Sequence, residues 1–78
     1  MDREETINML VSEIASYTSR YPHAADTVLG ITRWWLGSIS FPVSEADVKQ
    51  ALDGLVALGR ISEKQLPDGS VLYGLHTP

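Results

Sequence analysis

Two histidines, ten Asp and Glu residues and no cysteine define the side-chain chemistry open to this 78-residue chain. His23 and Asp26 stand three positions apart and offer two donors, but a metal site wants a third ligand at a matching spacing. A surface histidine and a helix cap account for the pair better. His76 lies in the last three residues and reads as part of an exposed tail. Serines are plentiful, yet no Gly-x-Ser-x-Gly elbow, phosphate loop or nucleophile–histidine–carboxylate set accompanies them. The sequence therefore predicts a non-enzymatic chain with no metal and no cofactor. The lack of cysteine also removes thiolate sites and disulfide frameworks, which makes the cytoplasm the expected location. Residues 1–5 are acidic, and no apolar run reaches the roughly 18 residues of a membrane span, so neither export nor insertion is expected.

Six Lys and Arg against ten Asp and Glu give a net charge of −4. Such a chain is repelled as a whole by nucleic acid and by anionic membranes. The side chains best suited to contact are instead aromatic. Trp34 and Trp35 are adjacent, and neighbouring residues of a helix diverge by about 100°. Trp35 continues the apolar stripe of Val28 and Ile31. Trp34 projects to the side in line with Thr27 and Gly30, where a missing side chain lets another surface come close. It either covers the edge of a small core or meets a partner.

Positioning these residues requires a small set of elements. The length fits one domain, 1–78, with a small core. Asp2 and Glu5 mark a helix start, and Ile7, Leu10, Val11, Ile14 and Tyr17 or Thr18 recur at helical spacing, which predicts a helix over 3–19 ended by Tyr21-Pro22. A second helix is expected over 26–36, capped at Asp26 or Thr27 and closed by Gly37. A connection containing Pro42 leads to a third over 44–58, with Ser44 as its cap and Asp47 reaching back. Val48, Ala51, Leu52, Leu55 and Leu58 give it one buried face, and Gly59 stops it. Leu66-Pro67-Asp68-Gly69 is a turn between strands 60–66 and 71–75. Pairing Leu66 with Ser70 sets Gln65 opposite Val71, Lys64 opposite Leu72, Glu63 opposite Tyr73 and Ile61 opposite Leu75. Ile61, Val71, Tyr73 and Leu75 then face the core, and Lys64, Leu66 and Leu72 the outside. A short extended segment near residues 21–23 is expected beside the hairpin.

Three helices followed by a hairpin, with "VSEADVKQALDGLVALGRI" running into "SEKQLPDGSVLYGL", resembles the winged helix-turn-helix family. The residues that carry the likeness are Val48, Leu52, Leu55, Leu58, Gly59, Ile61, Gly69, Tyr73 and Leu75. It implies an α+β winged helix in which residues 44–58 form the groove-entering helix and 62–72 the wing. The positions it points to for DNA contact are Ser44, Lys49, Gln50, Arg60 and Lys64. The exposed face of the third helix, however, offers Glu45, Asp47 and Asp53 against Lys49 alone, a poor match to phosphates or base edges. The expectation is therefore a protein–protein interaction module, an adaptor or accessory subunit, with a DNA-binding transcription regulator as the alternative. Its expected interface is Trp34, Leu66 and Leu72. The partner is another protein or a second copy in a homodimer, which would bury the same leucines.

Overall fold

The computed structural model describes residues 2–37, 39 and 43–75. Its first helix, α1 (Arg3–Arg20), starts where the Asp2 carboxylate accepts the Glu5 N–H at 2.8 Å, with Glu4 and Glu5 in the favourable first turn. Leu10, Ile14 and Thr18 are buried along one stripe. The buried Thr18 hydroxyl is satisfied by the Ile14 and Ala15 carbonyls. The helix runs one residue past the expected Ser19 and is capped at Tyr21, directly before Pro22.

The extended segment after α1 lies further along than residues 21–23. It is β1 (Ala25–Asp26), paired antiparallel with β3 (Val71–Leu75) through Ala25↔Gly74 and Asp26↔Tyr73. Residues 21–23 cannot serve because Tyr21 still donates to the Tyr17 carbonyl and Ala24 closes a turn back onto Tyr21. Gly74 admits β1: a Cβ there would stand 3.0 Å from the Ala24 carbonyl oxygen and 3.2 Å from the Ala25 methyl.

The second helix, α2, begins later than expected, because Asp26 belongs to β1 and Thr27 is the cap. Thr27 Oγ1 accepts the Gly30 N–H at 3.2 Å, and the Asp26 carboxylate accepts the Thr27 N–H at 2.8 Å. One α-helical turn, Val28–Gly30, passes into a π-helical segment, Ile31–Trp35. Wider i→i+5 bonding brings residue i+5 close beneath residue i, whereas in an α-helix it lies about 140° away. Ile31, Trp35 and Leu36 can therefore all be buried. Gly37 does not close the helix in a left-handed conformation; the segment ends at Leu36 (φ −105°, ψ 23°), and the glycines with positive φ are Gly59 and Gly69. Gly30 makes room for the chain itself, since a Cβ there would overlap the Asp26 carboxylate.

The expected connection over residues 38–43 falls partly outside the described residues, as does His76. The third helix, α3 (Glu45–Ala57), is capped by Ser44, whose hydroxyl accepts the Asp47 N–H at 3.2 Å. The Asp47 carboxylate turns to Arg3 Nε at 2.9 Å instead of completing a capping box. Val48, Ala51, Leu52 and Leu55 are buried, but Leu58, expected with them, is 72% exposed. Ten positions from Val48, it has drifted about 80° off the stripe. The exit is a Schellman motif: Arg60 N–H bonds to the Leu55 carbonyl and Gly59 N–H to that of Val56, with Gly59 at φ 73°.

The hairpin joins β2 (Ile61–Gln65) to β3 in the register read from the sequence, from Ile61↔Leu75 to Gln65↔Val71. Leu66 N–H meets the Ser70 carbonyl at 2.7 Å, and Gly69 (φ 92°) closes the turn. The fold is thus α+β, three helices against a three-stranded antiparallel sheet of order β1-β3-β2. Ile61 and Tyr73 are buried against the helices, and Val71 packs at the edge of the core. The Arg3–Asp47 pair joins the starts of α1 and α3, while Ala15, Thr18 and Ser19 share a recess with Leu55 near their ends. The two helices therefore run side by side in the same direction. Among the described residues no helix is long and apolar enough to cross a membrane.

Candidate interaction surface

The aromatic side chains of α1 and the π-helical segment assemble one wall of the molecule. Tyr17 stacks on Trp35 with ring centroids 4.6 Å apart and planes 11° from parallel. Tyr21, one turn further along α1, leans on Tyr17 at 4.8 Å and 46°. Trp35 is buried by this stacking. Trp34, on the other side of the same segment, is 73% exposed, and Tyr21 is 54% exposed. Trp34 thus leaves most of its ring in solvent instead of sealing the core edge. With Glu13, Ser16, Arg20 and Gly37 these rings border an open groove of about 200 Å³.

Leu72 lies elsewhere. It borders a second recess, of about 260 Å³, on the outer side of the sheet with Pro22, His23, Ser62, Lys64 and Gly74. Leu66 is half-buried beside the hairpin turn. The Trp34 groove and the Leu72 recess share no residue, although they meet at the neighbours Tyr21 and Pro22. A third recess, the largest of these three at about 410 Å³, has Ala15, Leu55, Ile61 and Leu75 as its apolar walls and Arg60 at its border.

The residues marked for DNA contact are dispersed. Ser44 is occupied as the α3 cap. Lys49 Nζ is held by Asp53, one turn along α3, at 2.7 Å, and that hydrogen bond raises the lysine pKa above its ordinary value. Gln50 is exposed on the same helix, three positions from Asp47 on one side and from Asp53 on the other. Arg60 and Lys64 belong to two different recesses, and both are remote from the acidic start of α3. Asp26 is tied to the Thr27 N–H, and among the described residues no group of three or more His, Cys, Asp or Glu could hold a metal ion.

Sequence reasoning took Tyr17 as core and Tyr21 as a helix end, and so missed their part in this wall. The available signal was their i,i+4 spacing, which stacks rings on one helix face. The recess beside Arg60 had no such signal, because it is made by small residues of α1, Ala15 and Ser19, opposite the far end of the chain. Compared with protein-family models, curated proteins and solved structures, the chain matches none.

Proposed function

We propose that this chain is a winged-helix module whose work is to bind another protein, as an adaptor or accessory subunit. The observation that carries the reading is Trp34. A large aromatic ring left 73% exposed beside a second exposed ring, Tyr21, on a wall stiffened by the Tyr17–Trp35 stack, is the composition of a protein-binding hot spot. The winged-helix assignment draws support from the order of three helices and a hairpin, and from the short strand β1 beside it.

The charge pattern on α3 favours protein over DNA. Its one lysine is engaged by Asp53, and Glu45 and Asp47 stand at the helix start that a groove reader presents to bases. The test is a titration of labelled protein with duplex DNA at low and moderate salt, run beside capture of partners by the wild type and by Trp34→Ala. Partner capture that depends on Trp34, with no DNA binding, supports the reading. DNA binding that weakens steeply with salt would establish the regulator instead.

A further inference from the structure

Five of the six basic residues of the chain divide into two groups. Arg3 and Lys49 are consumed by ion pairs with Asp47 and Asp53. Arg20, Arg60 and Lys64 have no ion pair among the described residues, and each borders a different recess: Arg20 that of Trp34, Arg60 that of Leu55 and Ile61, Lys64 that of Leu72. The three recesses converge on one short stretch, the connection from α1 to β1. Tyr21 borders the first, Pro22 the other two, and His23 the last. Arg33 is exposed and neighbours Trp34 in the chain.

This clustering follows from the parallel course of α1 and α3. Both helices gather carboxylates at their starts, Asp2, Glu4 and Glu5 on one and Glu45 and Asp47 on the other, where the helix dipole favours them. The Arg3–Asp47 pair holds these starts together at one end of the two parallel helices. The opposite end receives Arg20 from the last turn of α1 and Arg60 from the exit of α3. A chain of net charge −4 therefore has a basic end. Three carboxylates stand near it: Glu13, about 10 Å back along α1 at the edge of the Trp34 groove, Glu63, next to Lys64 in β2, and Asp26 at the end of β1, which is tied to the Thr27 N–H.

We infer that this end, built around residues 20–24, is the docking face for an acidic segment of a partner protein that also carries apolar side chains. The inference rests on the protein-binding reading above and specifies its partner. Charge complementarity selects the acidic character, because unpaired guanidinium and ammonium groups attract carboxylates and steer their approach. The walls of the recesses select the apolar part: Ala15, Pro22 and Leu75 over a floor of the buried Leu55 and Ile61 in one, Leu72 in the next, Tyr21 and Trp34 in the third. Such pockets take anchoring side chains, while the cations at their borders pair with the acidic residues between the anchors. A nucleic acid would satisfy the cations but offers no aliphatic anchor to the Leu55–Ile61 recess.

The test uses the full chain and three labelled peptides of equal length and identical leucine content, with Glu, Ser or Lys at the polar positions, followed by fluorescence anisotropy. The Glu peptide is expected to bind at least about tenfold more tightly than the other two, an advantage that shrinks with salt. Replacing Arg20 and Arg60 by Ser should abolish that preference. Replacing Arg3 and Lys49 by Ser changes the net charge equally at the other positions and should leave it intact. Circular dichroism of each variant verifies folding, and the single variants Arg20→Ser and Lys64→Ser serve if the double one is unfolded. Equal binding of the three peptides, no binding of any, or equal loss in both double variants would overturn the acidic partner while leaving Trp34-dependent capture to stand. Tighter binding of DNA than of the Glu peptide would overturn both.

Discussion

Adjacent tryptophans with opposite environments give the sharpest test of the geometry. Trp35 is 6% exposed and Trp34 is 73% exposed. A tryptophan side chain buries about 200 Å² when enclosed, worth about 5 kcal/mol at about 25 cal/mol per Å². Truncating Trp35 to Ala should therefore cost about 3–5 kcal/mol, including the lost stack on Tyr17. A chain of 78 residues has about 4–12 kcal/mol in total, so this variant should be marginal or unfolded. The quarter of Trp34 that is covered is worth about 1 kcal/mol once the compactness of the unfolded chain is allowed for. Trp34→Ala should stay folded with a small drop in urea midpoint. Far-UV circular dichroism against urea measures both variants without relying on the fluorophores removed. In the Trp35→Phe variant, the remaining Trp34 should emit as a solvated indole and be quenched freely by iodide. Comparable losses from Trp34→Ala and Trp35→Ala, or a shielded Trp34, would refute the arrangement that encloses Trp35 and leaves Trp34 in solvent.

Other positions make independent predictions. Gly59→Ala keeps open space around the new methyl but forces a left-handed residue at φ 73°, and should cost about 1–2 kcal/mol in urea unfolding. Gly74→Val pushes against the Ala24 carbonyl and the Ala25 methyl, and should cost about 1–3 kcal/mol while speeding amide exchange at Asp26 more than at Glu63. The Asp68 carboxylate accepts the Ser70 N–H at 2.9 Å, which lowers its pKa below the ordinary 3.8. A depressed carboxylate stabilises the fold above its unfolded-state pKa, so this contribution is full at neutral pH. It is lost as pH falls below about 4 through the lowered native value. Asp68→Asn should abolish that part of the acid dependence, measured as the difference between wild-type and variant urea midpoints at pH 7 and at acid pH.

The helices and the hairpin were legible because their determinants are local. Asp2, Ser44 and Gly59 punctuate the chain, apolar residues repeat at three and four along α1 and α3, and Pro67-Asp68-Gly69 sets a register that strand alternation then propagates. What was displaced depends on contacts between distant segments. Ala25 and Asp26 have little strand preference of their own; they pair because Gly74, some fifty positions later, leaves the space beside it empty. Likewise the switch to π-helical bonding after Gly30 has no local marker; it accompanies the burial of Ile31, Trp35 and Leu36 together, which would span about 140° of an α-helix.

The same division runs through the candidate site. Trp34 was visible in the sequence, because one of two adjacent rings must leave the stripe. The surface around it was not, because it joins Arg20 of α1, Arg60 of the α3 exit and Lys64 of β2, residues whose proximity comes from two helices lying parallel. Composition even pointed the other way. A net charge of −4 describes the average over all directions, whereas a partner meets one end of the molecule at a time. At physiological salt the screening length is about 8 Å, so an approaching segment feels mainly the nearby Arg20, Arg60 and Lys64, and the carboxylates at the starts of α1 and α3 are screened from it. Acidic composition and a basic docking end are therefore compatible, and the helix starts that bind up Arg3 supply the acidity that keeps the rest of the surface from competing.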